Sequence, residues 1–278
     1  MEDFNKNVER SIMKKFRKDI WSPFVHAVKN YELIKEGDNV CVCISGGKDS
    51  MLLAKLMQML HRFSDYPFGL KFLVMDPGYN ERNRKKIEHN AGLLEIPIEI
   101  FETQIFDIAN VTEKSPCYLC ARMRRGNLYA KAKEMGCNKI ALGHHFSDVI
   151  ETTLMGMLYG AQIQGMMPKL HSTNFEGMEL IRPLYEVHED AIKAWRDYNG
   201  LEFIQCACRF TENLEIKDDY ESNSKRMETK MIISKLKETN PMVESNIFNS
   251  LHNVSLDTFI EYKTNGVRHN FLEDYDKE

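Results

Sequence analysis

The sequence predicts an α/β protein with a parallel sheet covered by helices on both faces, and further helices at the N- and C-terminal ends. Short apolar segments of strand length alternate with segments of helical length between residues 40 and 160. Strands separated by helices of that length pair in parallel. Glycine-rich or polar segments follow three of the predicted strands, at the sheet edge where such folds bind ligands.

The segment before the first strand is predicted to be helical. Its apolar residues recur every four positions and mark one helical face: Phe4, Val8, Ile12 and Phe16. The opposite face is basic and is either a solvated surface or an arm that contacts phosphates: Lys6, Arg10, Lys14 and Lys18. Ser22 and Pro23 have the N-cap and first-turn preferences of a second helix, which would run to about Tyr31.

The alternation that follows predicts strands at 40–44, 71–75, 97–101 and 139–142, and helices at about 49–62, 80–94, 121–135 and 148–159. Later segments are predicted as a short extended piece at 181–184, a helix at 188–198 and two helices across 222–260, separated at Asn240-Pro241. We therefore predict three regions: N-terminal helices at 1–36, an α/β domain with a cysteine site at 37–215, and a helical region with an acidic tail at 216–278.

Composition restricts the possible classes of protein. The chain has 278 residues with 43% hydrophobic and 28% charged residues, which is ordinary for a globular protein. It lacks both an apolar run of membrane-spanning length and the apolar core of a signal peptide, so we expect a cytoplasmic protein. A net charge of −4 does not favour nucleic-acid binding, so any such role needs local basic patches. Seven cysteines without an export signal argue against a disulfide framework.

The segment 45–50 follows the first strand and opens a helix. It reads Ser45, Gly46, Gly47, Lys48, Asp49 and Ser50. Paired glycines let successive amide groups face one anion, and the helix start adds free N–H groups and a partial positive charge. Neither a Walker A loop nor a G-x-G-x-x-G segment occurs in the chain. The segment is either a pyrophosphate-sized anion site or a turn that binds nothing.

A C-x-x-C pair, Cys117 and Cys120, lies near the start of a predicted helix with Arg122, Arg124 and Arg125. The helix dipole and the arginines favour thiolates there. Such a pair fits a redox dithiol, half of a zinc site or part of an iron–sulfur cluster. The other close pair is Cys206 and Cys208. Three protein ligands would leave one cluster position open for chemistry.

The segment 143–148 lies where a strand passes into a helix, and contains Gly143, His144, His145 and Asp148. The histidines could bind metal, polarise a phosphate or form only structural hydrogen bonds. Asp148 is a candidate ligand for Mg²⁺, which prefers carboxylate and phosphate oxygens.

Together these motifs resemble one family. The 45–50 loop matches the SGGxDS signature of PP-loop ATP pyrophosphatases, which cleave ATP between the α and β phosphates. The order of that loop, the segments 117–126, 142–152, 167–170 and 181–184, and a late cysteine is similar to the tRNA 2-thiocytidine synthetases. The resemblance extends to about Tyr262. This chain differs in having C-x-C at the late cysteines and Ser147 in place of the first of two aspartates.

The resemblance implies an ATP-dependent tRNA thiolase that adenylates a base carbonyl, cytidine C2 in the anticodon loop, and replaces its oxygen with sulfur. A 4Fe–4S cluster would use Cys117, Cys120 and Cys206, with Cys208 as an alternative ligand. Pyrophosphate would be bound by Gly46, Gly47, Lys48 and Ser50, with Ser45 in the same loop, and Mg²⁺ by Asp49 and Asp148. Asp76 would line the adenosine pocket, His144 and His145 would steady the adenylate, and Arg124 would contact the adenylate or tRNA.

The implied partners are tRNA and a sulfur donor such as a cysteine desulfurase, with a possible homodimer and no membrane. Two alternatives keep the nucleotide site but change the function. One is a PP-loop ligase of the lysidine-forming type, and the other is a non-enzymatic ATP-binding module. Neither explains the cysteines.

Overall fold

The computed structural model describes residues 2–105, 116–204 and 225–276. The first part contains α1 (Glu2–Met13), a π-helical turn (Arg17–Trp21), α2 (Ser22–Asn30), β1 (Asn39–Ile44), α3 (Lys48–Phe63), β2 (Gly69–Asp76), α4 (Glu81–Leu93) and β3 (Ile98–Glu102). The second contains α5 (Pro116–Glu134), β4 (Lys139–Ala141), α6 (Phe146–Gly160), β5 (Lys169–His171), β6 (Glu179–Ile181) and α7 (Glu189–Tyr198). The third contains α8 (Lys225–Thr239), α9 (Val243–Ser250), a 3₁₀ turn (Leu256–Thr258), β7 (Glu261–Thr264), β8 (Val267–Asn270) and α10 (Leu272–Tyr275).

Six strands form one sheet in the order β3-β2-β1-β4-β6-β5. The neighbouring strands β3, β2, β1, β4 and β6 are parallel. The edge strand β5 pairs antiparallel with β6. The predicted parallel α/β fold is therefore confirmed. Because the order reverses direction next to β1, the loop after β1 lies at the switch point where such sheets bind ligands.

The alternation of side chains along β1 divides the core. Val40, Val42 and Ile44 face a large cluster that includes the apolar face of α1, the π-helical turn and α3. Cys41 and Cys43 face the opposite side, where they pack with residues of α5 such as Tyr129. Both faces of the sheet are thus covered, as the near-continuous apolar sequence of β1 requires.

The C-terminal helices pack on the sheet domain. Ile233 of α8 and Phe248 of α9 join a third buried cluster with Phe146 and Val149 of α6. This packing brings α8 alongside the helix that begins at the 143–148 segment. Among the described helices, none is both long enough and apolar enough to cross a membrane.

Two local predictions were wrong, and two elements were not predicted. Ser22 is not an N-cap, because Trp21 before it is already helical and the π-helical turn runs directly into α2. The extended segment at 181–184 ends at Ile181, and β5 was not predicted. The β7–β8 hairpin was also missed, although Asn265-Gly266 supplies the two positive φ angles, 50° and 79°, that a two-residue hairpin turn needs.

Candidate active site

The loop between β1 and α3 requires glycine at position 46. Gly46 has φ +84°, and a Cβ there would lie 2.6 Å from Ile87 Cγ1 and 2.7 Å from Ile204 Cδ1. Gly47 is the N-cap of α3 and provides no side-chain hydrogen bond to the helix start. The first amide groups of α3 are therefore left without a side-chain cap and are oriented to bind an anion.

The two serines of the loop fix its shape. Ser50 Oγ accepts a hydrogen bond from the amide of Ser45 at 3.1 Å and donates to the carbonyl of Gly47 at 3.0 Å. Ser45 Oγ lies 3.2 Å from Ser50 Oγ. Ser50 is buried, so its hydroxyl closes the loop from inside.

Lys48 is positioned by two carboxylates. Its Nζ lies 3.2 Å from Asp49 Oδ2 and 3.1 Å from Glu189 Oε1 at the start of α7. Glu189 also contacts Lys193 at 3.0 Å and Lys230 of α8 at 2.5 Å. Burial alone would raise the pKa of Glu189, but the three lysines hold it well below its ordinary value. Glu189 is therefore a charged anchor that keeps Lys48 beside the loop.

One carboxylate oxygen of Asp49 is available to bind a ligand. Its Oδ1 is buried and lacks a hydrogen-bond partner among the described residues. His145 Nε2 lies 3.7 Å from that oxygen, beyond hydrogen-bond range. A buried carboxylate oxygen without a partner is costly unless a cation or donor joins it. Asp49 thus fits a divalent cation that also binds phosphate oxygens.

Gly143 lets the end of β4 approach the start of α3. A Cβ at this position would lie 3.0 Å from the amide nitrogen of Ser50. His145, two residues on, is the N-cap of α6 and forms a capping box with Asp148. Asp148 Oδ2 accepts from the His145 amide at 3.0 Å. The 143–148 segment therefore lies directly against the 45–50 loop.

Asp148 is also bound by the C-terminal region. Arg226 of α8 donates through one nitrogen to Asp148 Oδ1 at 2.8 Å and to Glu151 Oε2 at 3.0 Å. Both oxygens of Asp148 are thus in use, whereas Asp49 has one free. A cation bound by Asp148 would have to share or replace Arg226, and the predicted role of Asp148 as a Mg²⁺ ligand stays a prediction.

His144 is held neutral by its neighbours. Its Nδ1 accepts a hydrogen bond from Arg182 Nε at 3.3 Å, and Arg182 also donates to the carbonyl of Met167. Burial and the charge of Arg182 lower the pKa of His144 to about 4. The assigned hydrogen bond leaves the His144 proton on Nε2, so this ring can donate one hydrogen bond at neutral pH.

Asp76 stabilises the turn after β2. Its Oδ1 accepts from the amides of Gly78 and Tyr79 at 2.9 and 2.7 Å, and its Oδ2 accepts from Arg84 at 2.7 Å. Burial opposes ionisation, but these hydrogen bonds lower the pKa of Asp76 below its ordinary value. Contact with an adenosine stays a prediction, and the neighbouring Met75 lines the cavity described next.

Two cavities flank the loop and share Asp49 as a wall. The narrow cavity, of about 400 Å³, mixes apolar strand ends with polar groups. It is lined by Cys43, Ile44, Ser45, Asp49, Ser50, Met75, Arg124, Arg125, Leu128, Ile140, Leu142, Gly143, His144 and Asp148. The wide cavity, of about 1000 Å³, is strongly charged. Its charged lining is Lys48, Asp49, Arg82, Lys86, Glu189, Lys193, Arg196, Asp197 and Glu202.

The cysteine site is described in part. Cys117 and Cys120 lie in the first turns of α5, and Arg124 of the same helix lines the narrow cavity. Cys206 and Cys208 lie outside the described residues. The remaining cysteines are buried: Cys41, Cys43 and Cys137. Within the described ranges, three or more His, Cys, Asp or Glu side chains do not cluster in a metal-binding arrangement.

The structure brings together the predicted 45–50 loop, the 143–148 segment and Arg124, and adds four residues that the sequence did not predict. Glu189, Lys230 and Arg226 gave no local signal, because each acts through a partner distant in sequence. Arg182 belongs to the 181–184 motif, but the family resemblance of that motif implied no role for the arginine.

Known proteins resemble this chain over most of its length. Residues 9–214 match the family model of the PP-loop domain, an ATP-binding domain. A protein named tRNA-cytidine(32) 2-sulfurtransferase 1 from Francisella philomiragia is 39% identical, over 82% of this chain and 86% of its own. A tRNA-cytidine(32) 2-sulfurtransferase from Coxiella burnetii is 36% identical, over 85% and 90% respectively.

The fold is also similar to a solved structure. The U34-tRNA thiolase NcsA from Methanococcus maripaludis, determined with its [4Fe-4S] cluster, superposes with a TM-score of 0.63 at 20% identity and covers 84% of this chain and 79% of its own. At that identity the likeness concerns the fold. The identity to the bacterial proteins and the match across residues 9–214 carry the assignment: this chain belongs to the PP-loop family and, within it, to the tRNA-cytidine(32) 2-sulfurtransferases.

Proposed function

We propose that this protein is an ATP-dependent tRNA sulfurtransferase that converts cytidine to 2-thiocytidine. The observation that carries the proposal is the junction at Asp49. At this residue the start of α3, which has no side-chain cap, and the positioned Lys48 adjoin the narrow cavity. That cavity is also lined by α5, the helix that contains Cys117 and Cys120. The names of the bacterial relatives support cytidine at position 32 as the target.

The loop and the narrow cavity suit the two ends of ATP. The α3 amides and Lys48 would bind the β and γ phosphates, where negative charge builds up as pyrophosphate leaves. Apolar walls from Ile44, Met75 and Leu142 would hold the nucleoside, since ligand pockets combine apolar surface with a few placed polar groups.

Asp49 would hold the Mg²⁺ that accompanies ATP. Its buried, unpartnered Oδ1 is the observation that fits this ion. The ion would neutralise charge on the phosphates and the departing pyrophosphate. Asp148 would contribute if Arg226 moved from its Oδ1, where the two now lie 2.8 Å apart.

The reaction requires a poor leaving group to be made a good one. The C2 carbonyl oxygen of cytidine attacks the α phosphorus of ATP, and pyrophosphate departs. Sulfide then adds to C2, and the original oxygen leaves with AMP. Arg124 and His144 line the narrow cavity, and the guanidinium and the Nε2–H would stabilise this charge as donors.

The cysteines would hold an iron–sulfur cluster that supplies the sulfur. Cys117 and Cys120 have the i, i+3 helical spacing that suits two ligands of one centre. Cys206 lies outside the described residues and stays the predicted third ligand.

The test is anaerobic thiolation. The protein, purified without oxygen, is incubated with ATP, Mg²⁺, sulfide and tRNA from a strain lacking this modification, and the nucleosides are analysed by mass spectrometry. We expect 2-thiocytidine, one pyrophosphate released per thiolation, and a brown protein. Cys117→Ser should lose both the colour and the product, with Cys41→Ser as the thiol control.

Pyrophosphate release with an amine joined to the base would instead identify a lysidine-type ligase. ATP binding without any pyrophosphate release would identify a non-enzymatic module. A colourless anaerobic protein with stoichiometric zinc would reject the cluster. The cysteine desulfurase as sulfur donor, the homodimer and the cytoplasmic location stay predictions.

A further inference from the structure

A group of basic residues lies on the exposed face of α1 and shares no residue with the two cavities beside the 45–50 loop. It is a groove of about 440 Å³ between α1 and the end of α7. We call it the basic groove and define it by Asn7, Arg10, Lys14, Lys15, Tyr198 and Asn199. These residues supply three cations, two side-chain amides and the ring of Tyr198, and Phe4 and Ser11 complete the lining of a space large enough for a phosphate and its sugar.

The cations of the basic groove are not neutralised. Among the residues whose side chains are described, no carboxylate lies within ion-pair distance of Arg10, Lys14 or Lys15. Glu9, the acid nearest to them in sequence, turns to the other side of α1 and contacts Lys55 and Arg62 at 2.7 Å each. The groove therefore keeps its positive charge in a protein whose net charge is −4.

Many surface lysines of this chain behave differently. Lys35 is paired with Glu32 at 3.1 Å, and Lys85 with Glu81 at 2.6 Å. Exposed ion pairs of this kind contribute little to stability, but they cancel the local field. Leaving three neighbouring cations unpaired creates the field that attracts a polyanion.

Tyr198 gives the groove a flat apolar surface. Its side chain is 57% exposed, and Lys15 Nζ lies 4.2 Å from the ring centroid. Phe16 supports the ring edge-on, with centroids 5.7 Å apart. Aromatic rings among backbone-binding cations are typical of surfaces that bind single-stranded or looped nucleic acid.

Helix α7 connects the groove to the active site. It begins at Glu189, which contacts Lys48, passes Lys193 and Arg196 on the wall of the wide cavity, and ends at Tyr198. Ten residues of helix extend about 15 Å, a distance that a few consecutive nucleotides cover. A polyanion in the groove could thus extend along α7 to the wide cavity, where Lys193 and Arg196 lie beside carboxylates.

We propose that the basic groove binds the sugar–phosphate backbone of the RNA substrate and delivers the target base to the wide cavity. The inference rests on the proposed tRNA substrate and adds a binding surface outside the reaction site. A membrane fits poorly, because the apolar face of α1, with Val8 and Ile12, is buried in the core.

The test compares two double variants of the full chain that each remove two positive charges. The groove variant, Arg10→Ala with Lys14→Ala, removes two of the three cations of the basic groove. The control variant, Lys35→Ala with Arg268→Ala, removes two cations that pair with glutamates elsewhere. All four side chains are exposed, so both variants should fold. The Kd for unmodified tRNA is measured at several salt concentrations, together with tRNA-dependent pyrophosphate release.

We expect the groove variant to weaken tRNA binding at least tenfold at 0.1 M salt. The salt slope of log Kd should fall by about 1.5, since each lost phosphate contact removes roughly 0.7–0.9. At saturating tRNA its kcat should equal that of the wild type, with a raised KM. The control variant should bind within about twofold of the wild type.

Equal weakening in both variants would assign the effect to net charge and overturn the proposal. So would tight tRNA binding by the wild type that the groove variant retains, which would leave the proposed function intact. If the wild type itself fails to bind tRNA, the proposed function fails as well. Binding to anionic phospholipid vesicles that only the groove variant loses, with tRNA binding unchanged, would reassign the groove to a membrane surface.

Discussion

The wide and narrow cavities meet at Asp49, yet their linings differ in kind. The wide cavity is bordered by α4 and α7 and carries cations and carboxylates in similar number. The narrow cavity is bordered by strand ends and α5, and combines two arginines and two aspartates with apolar strand-end side chains. An open surface with charges of both signs lets a polyanion bind and leave, whereas charges beside apolar walls act more strongly on a reacting group. The contrast suggests that substrates enter through the wide cavity and react in the narrow one.

Substitution of Asp49, which lines both cavities, should have the largest effect on the rate of pyrophosphate release. We expect Asp49→Asn to lower the rate of pyrophosphate release by about 10²–10³-fold. The neutral amide lacks the negative charge with which the carboxylate would bind a divalent cation. Initial rates at saturating ATP measure this. Asp197→Asn is the matched control, since Asp197 lines only the wide cavity and pairs with Arg196. A rate for Asp49→Asn near that of the control would remove Asp49 from the reaction.

Substitution of Glu189, which holds Lys48 in place, should have the second largest effect. Glu189→Gln removes the charge that holds Lys48, Lys193 and Lys230 together. We expect kcat for pyrophosphate release to fall roughly 30–100-fold, since a misplaced lysine stabilises the leaving group less well. Asp190→Asn, on the adjacent exposed residue, should change kcat less than twofold. An unchanged kcat in Glu189→Gln would show that Lys48 needs no anchor.

The narrow cavity can be tested through Arg124, one of its two arginines. Arg124→Ala should lower thiolation about tenfold or more, because a cation in a largely apolar pocket is weakly screened. Arg122→Ala, on the exposed side of the same helix, removes the same charge outside the cavity and should stay within twofold. Equal losses in the two variants would assign the effect to RNA attraction by α5 as a whole and weaken the distinction between the cavities.

The smallest expected effect concerns pH and stability. The pKa of His144 is about 4 in the fold and about 6.5 when unfolded, so the unfolded chain binds more protons between these values. Stability from this group is therefore full above pH 6.5 and is lost as the pH falls towards 4, by up to about 3 kcal/mol. Urea unfolding at pH 5 and pH 7 should show a smaller difference for His144→Asn than for the wild type. An equal difference would mean that His144 is not held neutral.

The sequence predicted much of the fold because the sheet is specified locally. The apolar run of β1 and the helical periods around it are visible without tertiary information. β5 was not, because three residues at a sheet edge are defined only by their pairing with β6. The hairpin at Asn265-Gly266, in contrast, has a local sequence signal for its two-residue turn.

The site was predicted only where its residues are neighbours in sequence. Lys48 and Asp49 share the 45–50 loop, and His144 and Asp148 share one strand–helix junction. The contact of Arg226 with Asp148 spans 78 positions, and that of Lys230 with Glu189 spans 41. Such pairs depend on how α8 packs against α6, which no local pattern in α8 specifies.

The position of Arg226 has a consequence for biosynthesis. The 45–50 loop leaves the ribosome early, but the arginine that contacts Asp148 and Glu151 follows roughly 180 residues later, or about 10–40 s at ordinary translation speeds. A nascent chain could therefore expose the 45–50 loop well before those two carboxylates acquire their countercharge. Termination before Arg226 would release a chain that contains the 45–50 loop but lacks the arginine contact with Asp148 and Glu151.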